Sequence, residues 1–128
     1  VTKRRWLSFL DGSTSTASLG FRIDAAKTVV IHEHGPELEP LPLPRGRTLQ
    51  TLKAPEDLEA AFAAFLQDDP VLCKAVLAKL HALETALAQS AFFARHVLLR
   101  STLLLVYDDA EHAHLELRML NFGHSFAA

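Results

Sequence analysis

A chain of 128 residues, 49% hydrophobic and 22% charged, has the length and balance of one modest folded domain, not of a disordered segment. Its net charge of −2 and pI near 6.4 give no global attraction to nucleic acid or anionic lipid, so any polyanion site must be local. No apolar run comes near the roughly 18 residues of a membrane span. The single cysteine, Cys73, excludes an internal disulfide and favours an intracellular protein.

The chain opens on Val1, and VTKRRW lacks the apolar core and cleavage pattern of a signal peptide, so it reads as a fragment of something longer. Lys3, Arg4 and Arg5 form a basic run of the kind that usually just solvates a terminus, but STSTAS follows at 13–18. Cations and hydroxyls together could meet a phosphate. Leu19, Phe21 and Ile23 alternate with Gly20, Arg22 and Asp24, the period of a half-buried strand. A second strand over residues 28–32 is expected to pair with it through 25–27. The stretch 35–47, with four prolines and two glycines, reads as a loop.

From Pro55 the pattern becomes helical, with Leu58, Ala61, Phe62, Phe65 and Leu66 on one face and Glu56, Asp57 and Glu59 in the first turn. Asp69 and Pro70 are a good N-cap and first residue for a second helix reaching about Gln89. Its stripe of Leu72, Val76, Leu80, Leu83 and Leu87 reads as core; a partner-binding face is the alternative. After Ser90 strands return. Residues 99–107 and 114–121 are expected to form an antiparallel pair, with Asp108, Asp109 and Glu111 in its loop. The order β-β-α-α-β-β predicts an α+β fold in a single domain over residues 1–128.

Two histidine pairs, His32 with His34 and His112 with His114, have a spacing that a metal site could use, but without a cluster of partner carboxylates or cysteines they read as exposed loop histidines. Cys73 has no neighbouring histidine and reads as a small packing residue. Glycine loops that cradle phosphates are missing, so a nucleotide site wholly within the 128 residues is not expected.

Three stretches together resemble the inositol polyphosphate kinase family. VTKRRW with STSTASLGFRID is similar to its basic segment and S-S-T-x-x-L-G-F-R-I pattern. FFARHVLLRSTLLLVYDD is similar to F-F-x-x-H followed by S-S-L-L and a strand ending in an acid. LRMLNFGHS is similar to R-[ML]-I-D-F-[AG]-[HK]-[ST]. The resemblance implies the C-terminal, larger lobe of a two-lobed kinase-like or ATP-grasp-like fold, with the N-terminal lobe as a missing partner. It also implies transfer of the ATP γ-phosphoryl group to a hydroxyl of an inositol polyphosphate, with Mg2+, in the cytoplasm or nucleus.

By position in those motifs, Lys3 and His124 match substrate-binding residues. Thr102 matches a hydroxyl near metal and nucleotide phosphates, and Asn121 stands where the family has its metal-binding aspartate. No catalytic residue can be assigned, because the family's P-x-x-x-D-x-K-x-G segment occurs nowhere in the chain. Leu10 stands where trisphosphate 3-kinases carry a substrate-contacting arginine, and Arg22 matches the family strand, with a surface or lobe-packing role as the alternative. Asn121 lacks the charge that magnesium prefers, which weakens the implied metal site. A catalytically degenerate module that binds an inositol phosphate or a protein is therefore the alternative to an active kinase.

Overall fold

In a computed structural model the protein is described over residues 2–98, 100–108, 114–120 and 125–127. The chain divides after Asp68 into two compact units, Val1–Asp68 and Asp69–Ala128.

The first unit opens with helix α1 (Lys3–Ser13), lying over the basic run. Thr2 starts it: its backbone is extended and its Oγ1 accepts the Arg5 N–H at 3.3 Å. Trp6, Phe9 and Leu10 recur at helical spacing, with the Trp6 and Phe9 rings stacked 5.8 Å apart. The helix ends where Thr14 turns its hydroxyl back onto the Leu10 carbonyl at 2.6 Å. A single turn, α2 (Thr16–Leu19), follows and is closed by Gly20 at φ +81°, whose N–H bonds the Thr16 carbonyl.

This overturns the strand expected over residues 19–24, since Leu19 belongs to α2 and residues 21–26 carry no regular structure. Leu19 and Ile23 pack on the buried cluster of Leu52, Leu58 and Ala61, whereas Phe21 is exposed. An alternating pattern arose from a helix end and a loop that touch one core.

Strand β1 (Lys27–His32) is where the sequence placed it, but its partner is β2 (Gly35–Pro40), across a turn at Glu33 and His34. The antiparallel register runs from Lys27 opposite Pro40 to His32 opposite Gly35. Because the Leu41 N–H bonds the Ala26 carbonyl at 2.9 Å, residues 26, 28, 30 and 32 take the hydrogen-bonding positions. Pro36 and Pro40 fall in the other set, where no N–H is needed, so a stretch read as a loop serves as an edge strand.

Two short 3-10 turns, Pro44–Gly46 and Leu49–Thr51, lead to α3 (Pro55–Phe65). Asp57 Oδ2 accepts the N–H groups of Ala54 at 3.3 Å and Lys53 at 3.4 Å, and Oδ1 pairs with Arg47. Desolvation pushes the Asp57 carboxyl up, but the N–H donors and Arg47 together outweigh it and hold its pKa below the ordinary value. A depressed carboxyl stabilises the fold above its unfolded pKa, and the contribution fades as pH falls through the folded value. Asp57→Asn should therefore lower the urea midpoint at pH 7 and converge with the unmodified protein below about pH 4, as read by circular dichroism.

In the second unit α4 (Pro70–Gln89) begins as expected, with Asp69 Oδ1 accepting the N–H groups of Val71 at 2.9 Å and Leu72 at 3.3 Å. Of its leucine and valine stripe, Leu72 is fully buried and Val76 nearly so, Leu83 and Leu87 are half-buried, and Leu80 is exposed. Burial at the start of the stripe counts against α4 as a free partner-binding face. Cys73 is exposed and is not the packing residue expected.

A further turn, α5 (Ala91–Arg95), takes the place of the start of the expected strand, with Ser90 Oγ accepting the Phe93 N–H at 3.4 Å. Strands β3 (His96–Leu98), β4 (Thr102–Tyr107), β5 (Leu115–Leu120) and β6 (Ser125–Ala127) complete the unit. β4 pairs with β5 as an antiparallel ladder, as expected, and β3 pairs with β6. Helix α4 lies against β5, where Leu115 is buried. Asp109 and Glu111 of the expected loop lie outside the described residues. Helices with small antiparallel sheets agree with the α+β class.

Candidate functional site

Thr102 opens β4 and is half-buried. Its cross-strand partner is Leu120, the last residue of β5 and the one just before Asn121 in the chain. After the stretch 121–124, Ser125 opens β6 opposite Leu98 of β3. The two ladders thus bracket this stretch, one anchored beside Thr102 and the other at Leu98. Asn121 and His124 themselves lie outside the described residues. The sequence reading missed the β3–β6 ladder, because a three-residue strand carries too little periodicity to be seen.

Lys3 is exposed and is the first residue of α1, with Arg4 and Arg5 in the same turn and no acidic residue there. Because a helix N-terminus already carries partial positive charge, three cations at that end oppose the helix dipole. A bound anion would relieve that opposition. Lys3 belongs to the first unit and Thr102 to the second.

Two of the STSTAS hydroxyls, those of Thr14 and Ser15, are engaged within the protein. Ser15 is fully buried and donates to the Phe21 carbonyl at 2.7 Å, while Thr14 holds the Leu10 carbonyl. They close the corner between α1 and α2. Arg22 locks the same corner: its Nη1 reaches Asp11 at 2.7 Å and Thr16 Oγ1 at 3.3 Å, and its Nε reaches Asp24 at 2.8 Å. Desolvation lowers the Arg22 pKa, but bonds to Asp24 and Asp11 raise it further, so the net shift is upward. The packing alternative for Arg22 is the one its geometry supports. Leu10 lines a cavity of about 470 Å³ with Trp6, Phe9, Gln50 and Lys53 among its walls.

The inositol polyphosphate kinase family model matches residues 1–128. The chain belongs to the inositol polyphosphate kinase family. It is 32% identical to inositol-trisphosphate 3-kinase B of Homo sapiens over 123 residues, which cover 96% of this chain and 12% of that protein. With inositol-trisphosphate 3-kinase A of Rattus norvegicus it shares 30% over 123 residues, 96% of this chain and 24% of that protein. An inositol-trisphosphate 3-kinase homolog of Caenorhabditis elegans is 28% identical over 109 residues, 84% of this chain and 20% of the relative. The chain therefore spans a quarter or less of these curated relatives.

In this inositol polyphosphate kinase chain the two residues that the resemblance matches to metal positions, Thr102 and Asn121, offer a hydroxyl and an amide, both neutral. Magnesium selects carboxylate oxygens. These two residues alone do not fit a magnesium site.

Proposed function

We propose that this chain is the larger lobe of a two-lobed inositol polyphosphate kinase. It works with a nucleotide-gripping lobe and an Asp-and-Lys segment carried elsewhere in the protein to move the ATP γ-phosphoryl group onto an inositol polyphosphate hydroxyl. The observation that supports this best is the β4–β5 register, which sets Thr102 across from the residue preceding position 121. Those are the two family positions that act on the nucleotide side. In phosphoryl transfer negative charge spreads over the transferred oxygens, so positioned donors and cations do most of the work. Lys3, with Arg4 and Arg5 beside it, supplies positive charge for the substrate phosphates, and His124 completes the substrate side. ATP as donor places the reaction inside the cell, and no described helix is long and apolar enough to cross a membrane.

One observation favours a second reading. Asn121 in place of the metal-binding aspartate suits a member of the family that binds inositol phosphates and transfers nothing. Full-length protein supplied with labelled ATP and inositol trisphosphate separates the two. Label in the inositol phosphate supports the kinase, binding without label supports the degenerate module, and neither binding nor label removes both. Lys3→Ala should weaken inositol trisphosphate binding about tenfold, the expected loss for one charge-assisted contact, in a calorimetric titration of the same protein.

A further inference from the structure

The β1–β2 hairpin gathers four metal-ligating side chains that play no part in the proposed kinase reading. His32 Nε2 lies 2.5 Å from Glu39 Oε1 and 3.8 Å from Glu37 Oε2. The other Glu37 oxygen, Oε1, lies 2.8 Å from His34 Nε2. The two imidazole rings stack with centroids 5.2 Å apart and planes 3° from parallel. The carboxylates that the sequence reading found missing beside this histidine pair come from across the turn.

Strand geometry explains the gathering. Residues 28, 30 and 32 of β1 share a face with 35, 37 and 39 of β2, because opposed residues point the same way. Gly35 stands opposite His32 and takes φ +124°, a backbone conformation that favours glycine, where β2 leaves the turn. His32 is the more covered of the two histidines, its side chain 35% exposed against 66% for His34.

We propose that this hairpin face binds a divalent transition metal of the zinc class. His32, Glu37 and Glu39 are the ligands, and His34 orients Glu37 through its second oxygen. One ligand atom from each of the three lies within 4.8 Å of the other two. A zinc ion bonded at about 2.0–2.2 Å holds its tetrahedral ligands roughly 3.3–3.5 Å apart, so side-chain rotations of about an ångström reach that geometry. Two carboxylates neutralise the ion, and an imidazole nitrogen disfavours magnesium and calcium, which take oxygen donors. The donor from His34 to Glu37 is the kind of outer contact that fixes a ligating carboxylate. The alternative is that the same contacts are only imidazole–carboxylate hydrogen bonds on a hairpin.

Zinc chloride is titrated calorimetrically into the full-length protein in excess Mg2+. The proposal expects one tight equivalent that His32→Ala and Glu39→Gln each weaken by at least about tenfold. The exposed His81→Ala on α4 should leave it unchanged. Glu37→Gln, which keeps a side chain of the same shape on β2, gives the same reading should the His32 variant fail to fold. Loss of the tight equivalent in the Glu37 and Glu39 variants but not in the His81 variant supports the site. Absence of a tight equivalent, or its persistence in Glu37→Gln and Glu39→Gln, overturns it.

Discussion

Full-length protein carrying Asn121→Asp should transfer phosphate to inositol trisphosphate at least about 100-fold faster than the unmodified protein. The estimate follows from chemistry at one position. An amide offers one neutral oxygen, whereas a carboxylate offers two and a unit of negative charge. Charge stabilisation by a properly held catalytic metal is worth roughly several kcal/mol, and each ~1.4 kcal/mol is tenfold in rate. The check is a labelled-ATP assay across a Mg2+ titration. The gain should appear in kcat, together with a lower Mg2+ requirement. Equal rates and equal Mg2+ dependence in both proteins would mean that position 121 does not serve the metal, and the carry-over from the family would fail there.

The largest stability effect is expected at Leu72, the fully buried residue one turn into α4. Leu72→Ala removes most of a side chain with no exposed surface to relax into, so it should lower the unfolding free energy by about 3 kcal/mol. Leu80→Ala, on the same stripe but 37% exposed, should cost less than about 1 kcal/mol. Urea denaturation of both variants measures the contrast. Equal costs would mean that Leu80 is also covered, as it would be if α4 docked a partner.

Several elements were legible because a local device fixes them. Asp69 and Pro70 place the start of α4 by capping alone, and the β4–β5 ladder follows from two apolar runs of strand length. The missed elements depend on contacts that a linear pattern does not carry. Helix α1 has its cap in Thr2 and its apolar side in Trp6, Phe9 and Leu10, signals present in the sequence but masked by the cluster of three basic residues. Residues 19–24 imitated a strand, yet the buried Ser15 and the left-handed Gly20 turn them into a helix end and a loop. Strand β2 was hidden by its prolines, which are harmless because they occupy the positions that donate nothing to β1.

At the site, the motif order showed the family, but the bracketing of residues 121–124 needed two ladders between strands distant in sequence. The hairpin cluster was half visible. Two histidines stood out, and their carboxylate partners could be found only once Gly35 was known to face His32.

The corner made by Thr14, Ser15, Gly20 and Arg22 also bears on how kinases of this kind are recognised. Its hydroxyls and guanidinium are spent holding helix to loop, so the most distinctive stretch of the chain, STSTASLGFRID, is a signature of architecture. A copy whose chemistry has decayed would still need that corner to fold. Matches to this stretch therefore sort sequences by shape.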